Sequence, residues 1–353
     1  MLEPSRGTAV KAVFGAPLVI GLALLFCLAA LRVHAQALPP GALDQLDTAI
    51  GQRVEATAIL GTQNVASRAG LGWTLNNTSG SIYKIPWETE LREPRPLAAS
   101  NEIWAPLFER PPGDTNFNIG TFLRWAPVFE GGIGYGQFAD DFNSSVLDGN
   151  ESDYYTVALS LGLGPRIYFG DSGFSILPTF SMLYAYTEND FHANTPAGEA
   201  VVANGQFVNW YVNTFSLAPA FELRYLKTFG RWTPQFSSTF AYFNTRPITR
   251  STDALSFRSQ SDAWANKMDL DYLTRWNPVN FPMHFGGDFA RTDLYQGLQN
   301  AMGTDHYYQV DGRITFDILG RIWKVKSVGI TGGYFWCNSF RGFSVGLEGS
   351  LQL

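Results

Sequence analysis

Between residues 155 and 169, apolar side chains fall on every odd position: Tyr155, Val157, Leu159, Leu161, Leu163, Pro165, Ile167 and Phe169. The even positions between them are mostly Thr, Ala, Ser and Gly. Successive side chains of an extended chain point to opposite faces, so a period of two predicts a strand with one apolar face. From Phe174 the phase shifts to even numbers (Phe174, Ile176, Pro178, Phe180, Met182, Tyr184, Tyr186), and Gly170-Asp171-Ser172-Gly173 in between has turn chemistry. Six more rows follow, over 215–225, 232–242, 264–276, 308–318, 328–336 and 343–353. None of the apolar-phase positions in these rows holds Asp, Glu, Lys or Arg. The charges sit in the opposite phase: Arg166, Glu222, Arg224, Lys267, Asp269, Asp271, Arg275, Asp311, Arg313, Asp317 and Glu348.

A strand with lipid outside and a lumen inside needs this segregation, because a basic residue on the lipid face costs about 2–4 kcal/mol at mid-membrane. The segments are longer than the five or six residues usual in soluble sheets. Aromatic residues gather at their ends (Tyr155, Phe169, Trp232, Trp264, Trp276, Trp336), as interfacial girdles do. The pattern therefore predicts an all-β fold, a closed antiparallel transmembrane β-barrel, with strands near 81–91, 116–124, 128–139, 153–169, 174–187, 206–226, 232–246, 262–276, 283–295, 305–318, 327–337 and 343–353. That is about twelve. The stretch 65–75 also alternates and would pair with 81–91 through 76–80; with a further partner near 55–60 the alternative is fourteen. Tight connections near 125–127, 170–173, 227–231, 277–282 and 319–325 should be periplasmic. Longer polar ones at 92–114, 140–152, 188–205, 247–261 and 295–304 should be external.

The beginning reads differently. Arg6 and Lys11, an apolar run over 12–31 and Ala35-Gln36-Ala37 have the layout of a signal peptide over 1–37, cut after Ala35 or Ala37. Its loss would take the formal charge from −6 to −8 and leave Cys337 as the single cysteine. No intrachain disulfide or cysteine metal site is then expected. Segment 38–64 is a periplasmic or lumen segment. Leu43, Leu46, Ile50, Val54 and Leu60 recur at helical spacing there, so a short N-terminal helix either threads the lumen or lies in the periplasm. The barrel occupies 65–353.

Composition changes the picture in one respect: 15% aromatic and 16% charged residues, against a usual charged share of about 25%, suit a membrane barrel. The acidic balance argues against a nucleic-acid partner. Three histidines follow the signal. Asp305 and His306, with Asp293 on the neighbouring strand, could form a water-activating pair at the mouth, while His192 has no serine at identifiable spacing and His284 completes the three. Gly131-Gly132-Ile133-Gly134-Tyr135-Gly136 lies in a strand pattern with no helix after it, so it is not a nucleotide loop. No cofactor or metal is expected, and the chain is read as no enzyme.

Ala58-Ile59-Leu60, Gly70-Leu71-Gly72-Trp73, Ile82-Tyr83-Lys84-Ile85-Pro86-Trp87 and a barrel pattern running to Leu353 together resemble the Gram-negative outer-membrane barrels. More narrowly, residues 59–353 resemble the solitary autotransporter-like barrels, in which no secreted passenger precedes the strands. The resemblance implies the cell outer membrane, with its lipid and lipopolysaccharide as surroundings. It also implies the barrel assembly machinery as a partner, reading Leu347, Leu351 and Leu353 at the end of the chain. The last residue is Leu where the family has an aromatic one, and Glu348 stands where glycine is preferred. The function implied is non-enzymatic, structural or narrowly pore-forming. Mixed charge signs on the lumen side fit an unselective channel or a salt-bridged wall better than a ring of one sign. The alternative is a barrel hydrolase using Asp305 and His306.

Overall fold

The computed structural model describes residues 42–62, 71–75, 78–90, 123–141, 149–170, 172–204, 208–278, 281–318, 325–338 and 340–351. The signal-peptide segment and Leu353 lie outside them. A helix, α1 (Ala42–Thr62), comes first. Twelve strands follow among the described residues: β1 (Leu71–Leu75), β2 (Thr78–Glu90), β3 (Leu123–Asp141), β4 (Glu151–Phe169), β5 (Phe174–His192), β6 (Trp210–Leu226), β7 (Trp232–Arg250), β8 (Ser259–Leu273), β9 (Met283–Tyr295), β10 (His306–Asp317), β11 (Val325–Trp336) and β12 (Phe340–Leu351). Each strand pairs antiparallel with its sequence neighbours, and β1 also pairs with β12, through Leu75 opposite Phe340 and Trp73 opposite Gly342, so the order closes on itself. Over the span of β1, closure leaves no row of unpaired amides at a sheet edge.

Period two decides which face each residue takes. In β5 exposure alternates from Phe174 to His192, with Ser175, Leu177, Thr179, Ser181, Leu183 and Ala185 buried inside. Leu159, Leu161 and Leu163 of β4, Phe221 of β6, Phe240 of β7, Met268 of β8 and Ile330 of β11 stand exposed on the outside. Leu347 is 90% exposed. A continuous apolar exterior of this extent is unlike a soluble monomer.

The strand boundaries correct three expectations. Trp125–Pro127 is no turn but lies within the single strand β3, which takes in the expected strand 128–139; most of the expected strand 116–124 lies outside the described residues. Pro127 stands opposite Pro165 of β4, so the two missing amide donors share one place in the ladder. Residues 71–75 are in the wall as β1, which restores even parity. Residues 55–60 belong to α1, so they supply no extra strand. As a consequence the 91–122 connection begins and ends at the same rim as the tight turn 170–173, not among the external loops.

The other rim carries the longer connections with their short helices, α2 (Pro196–Asn204), the 3-10 turn η1 (Asp253–Leu255) and α3 (Gln296–Met302). It is called the loop rim below, and the opposite one the short-turn rim.

Candidate functional site

The space enclosed by the strands is occupied first by α1. Gly51, Val54, Glu55, Ala56, Thr57, Ala58 and Ile59 are all buried, so the helix is covered on every side over this stretch. Ile50 and Val54 pack against Trp210, Val212, Leu255 and Phe257 at the loop rim. Deeper, Ala58 meets Ala158 and Ala185, and Ile59 joins Leu183, Ala218, Ala241 and Phe243. The helix thus runs from the loop rim toward the middle of the barrel. Small side chains let it fit: a Cβ on Gly51 would overlap the Phe257 ring. From the rim α3 folds inward, burying Leu298 and Met302 in the same cluster.

Two polar anchors fix the helix. Thr156 of β4 donates from its hydroxyl to Thr57 at 3.2 Å, and Thr57 donates to the Val54 carbonyl at 2.9 Å. The second is Glu55, fully buried, whose Oε2 accepts hydrogen bonds from Ser259 (2.6 Å) and from Ser261. Ser261 in turn accepts the Leu298 amide at 3.0 Å. One carboxyl therefore ties α1, β8 and α3 together.

Below the helix the inward positions carry charge. Arg166 (1% exposed) reaches Glu222 at 3.1 Å. Arg224 donates to Gln235 at 3.1 Å, and Glu130 accepts from Ser181 at 2.6 Å. Across β8, β9 and β10 the network is denser. Arg313 grips Asp269 with two bonds, 2.5 and 2.7 Å, and approaches Asp271 (3.5 Å) and Asp288 (3.8 Å). Lys267 lies 3.5 Å from Asp269 and 3.2 Å from Asp288. Gln309 and Ser344 both donate to Asp311, at 2.7 and 3.2 Å. Near the short-turn rim His284 bridges Asp271 (Nδ1, 2.7 Å) and Asp317 (Nε2, 3.2 Å). Gly286 provides the room, since a Cβ there would strike the Arg313 guanidinium.

Of the charges read from the sequence, the structure brings Lys267, Asp269, Asp271, Asp311, Arg313 and Asp317 into this belt, and Arg166, Glu222 and Arg224 into the wall on β4 and β6. Arg275 is not among them: β8 ends at Leu273, and Arg275 is exposed in the connection that follows. Glu348 lies in β12 opposite Gly329. Leu347 and Leu351 lie on the same strand. Sequence reasoning missed Asp288, Glu130 and Glu55. Asp288 follows Gly286-Gly287, which interrupts the apolar alternation of β9, and Glu130 was hidden by the supposed turn inside β3. Glu55 carried a usable signal, a lone acid on the apolar side of a helical repeat.

The aromatic residues divide between the two ends. Tyr155, Trp264 and Trp336 lie toward the loop rim, where Trp336 stacks on Tyr308 and Tyr334. Phe169, Trp232 and Trp276 lie at the short-turn rim, with Trp232 against Tyr272 at 4.3 Å between ring centres. At the loop rim His306 Nδ1 is 2.7 Å from Asp305, and His306 stands opposite Asp293 in the ladder. Asp293 is taken by Arg291 at 2.6 Å. Among the described residues no Ser, Thr or Cys side chain bonds the His306 ring. His192 faces Asp153 at 3.3 Å.

A family model described as the solitary outer membrane autotransporter β-barrel domain matches residues 122–345. Among solved structures the chain is similar to the β domain of the Bordetella autotransporter Brka, at 10% identity, covering 80% of this chain and 96% of that one, with a TM-score of 0.48. It is also similar to the translocator domain of the autotransporter NalP from Neisseria meningitidis, at 10% identity, covering 80% and 85%, with a TM-score of 0.47. Among curated proteins none matches the sequence.

Proposed function

From the premise that this chain belongs to the solitary outer-membrane autotransporter β-barrel family, and so to the outer membrane, we propose that it is a non-enzymatic barrel that rests closed. Its own helix fills the outer half of the lumen, and a belt of paired charges narrows the inner half. With the helix seated the lumen passes little; with the helix out it becomes a narrow pore.

The observation that supports this most is the unbroken burial of α1 from Val54 to Ile59 against inward-facing strand residues. A helix packed this way excludes water from the space it fills. The belt adds a second constriction, because Arg313, Asp269, Asp288 and Lys267 reach across three strands instead of leaving a ring of one sign. Asp293, the second carboxylate a water-activating Asp305–His306 site would draw on, is held by Arg291 at 2.6 Å, which favours the non-enzymatic reading over the hydrolase.

Planar-bilayer recording of the full chain and of a variant lacking residues 42–62 tests the proposal. The full chain should give rare, small steps, and the shortened one sustained larger steps. Equal conductance of the two, with both showing the heat-dependent gel shift of a folded barrel, would overturn it. Ester or peptide hydrolysis that disappears in His306→Ala would revive the hydrolase.

A further inference from the structure

On the outer wall toward the loop rim, exposed cations face the surroundings without an acid among the described residues. Arg246 of β7 is exposed on the outward face, and among the described residues it makes no ion pair. It stands level with Phe215 of β6 and Tyr184 of β5 in the ladders. Arg258, just before β8, lies at the same level and is also exposed, whereas Arg250 pairs with Asp253 at 3.4 Å and Arg291 with Asp293 at 2.6 Å. Glu188 on β5 and Asp262 on β8 are each four residues along the register from the level of Arg246, about 13 Å away. They are also engaged, Glu188 by the Tyr186 hydroxyl (3.0 Å) and Asp262 by Gln296 (2.7 Å).

What surrounds Arg246 is not bare hydrocarbon-facing surface. Tyr184, 45% exposed, donates its hydroxyl to Asn213 at 2.6 Å, and Asn213 donates to Thr249 at 2.5 Å. Tyr211, 46% exposed, stacks on Tyr186 with ring centres 6.2 Å apart. Immediately below, the wall turns apolar with Met182 and Phe221. Read from the rim inward, the patch offers Tyr211 and a buttressed asparagine, then the Arg246 guanidinium level with Tyr184, then grease. A guanidinium matches phosphate oxygens in pairs, flat tyrosine faces suit sugar rings, and the apolar wall suits acyl chains.

We propose that this patch on β5, β6 and β7 binds the phosphorylated sugar headgroup of an outer-leaflet glycolipid. Arg246 takes a phosphate, Tyr184, Tyr211 and Asn213 contact the sugar, and acyl chains run down past Met182 and Phe221. The inference rests on the outer-membrane placement of the chain and not on whether the lumen conducts.

Native mass spectrometry of the full chain in detergent, titrated separately with diphosphorylated lipid A and with phosphatidylglycerol, tests it. The wild-type chain should retain one lipid A at a concentration at least fivefold lower than it needs for phosphatidylglycerol. Arg246→Gln should raise the lipid A concentration required at least fivefold. Asn213→Ala should weaken lipid A and leave phosphatidylglycerol unchanged, and Arg231→Gln, in the exposed turn at the short-turn rim, should change neither. Unaltered lipid A binding by Arg246→Gln, or equal retention of the two lipids by the wild-type chain, overturns the proposal. Only preparations showing the heat-dependent gel shift are compared. A wild-type chain that never shows it would sink the outer-membrane barrel itself, a failure separate from that of the patch.

Discussion

A carboxyl in the interior of a membrane barrel is costly unless its oxygens are bonded. Glu55 meets that demand at Oε2, where two serine hydroxyls donate, and an amide oxygen could accept the same two bonds. Glu55→Gln should therefore leave the seating of α1 unchanged. Glu55→Ala strands both hydroxyls and should cost about 1–3 kcal/mol, seen as faster hydrogen exchange over 50–59. Arg166 is a different case, an almost fully buried guanidinium on Glu222. Removing one partner of such a pair leaves an uncompensated charge, so Glu222→Leu should destabilise the folded barrel by about 3 kcal/mol in urea refolding. Replacing both, as Arg166→Met with Glu222→Leu, should recover most of that loss. The identity and phase of these two residues were readable from the alternation alone. That they touch was not, because their strands are separated by β5 and contact across a lumen leaves no trace in local spacing.

Among the elements, the strands were legible wherever side chains alternated without interruption, as in β4, β5 and β10. Legibility failed at Pro127, a residue that ordinarily ends a strand and is tolerated here by pairing with Pro165. At Gly286-Gly287 the strand expected over 283–295 is present, but the break in apolar alternation that admits the Arg313 guanidinium hid Asp288. The helix was legible as a helix, but its place was not. A barrel interior and a periplasmic surface both accept the repeat of Leu43, Leu46, Ile50 and Val54, and what distinguishes them is burial all round. That burial has a weak point. Gly51 touches the Phe257 ring, so Gly51→Val should push the helix away from η1 and raise conductance in bilayers. Gly51→Val together with Phe257→Ala, which removes the ring, should return conductance toward the wild-type level.

For the whole molecule, the segregation of apolar positions outside and charged ones inside sets both placement and permeation. The described inward strand positions carry seven carboxylates (Glu130, Glu222, Asp269, Asp271, Asp288, Asp311, Asp317) and four basic side chains (Arg166, Arg224, Lys267, Arg313). A pore opened by loss of residues 42–62 should accordingly favour potassium over chloride in reversal-potential measurements, with the preference fading as salt rises. Asp288→Asn, which removes a carboxylate set between Lys267 and Arg313, should lower that preference.

Because α1 descends from the loop rim toward the centre, its first described residue, Ala42, stands on the exterior side. An epitope spliced in just before Ala42 should thus be stained by antibody on intact, unpermeabilised bacteria, with the fixed barrel serving as its mount.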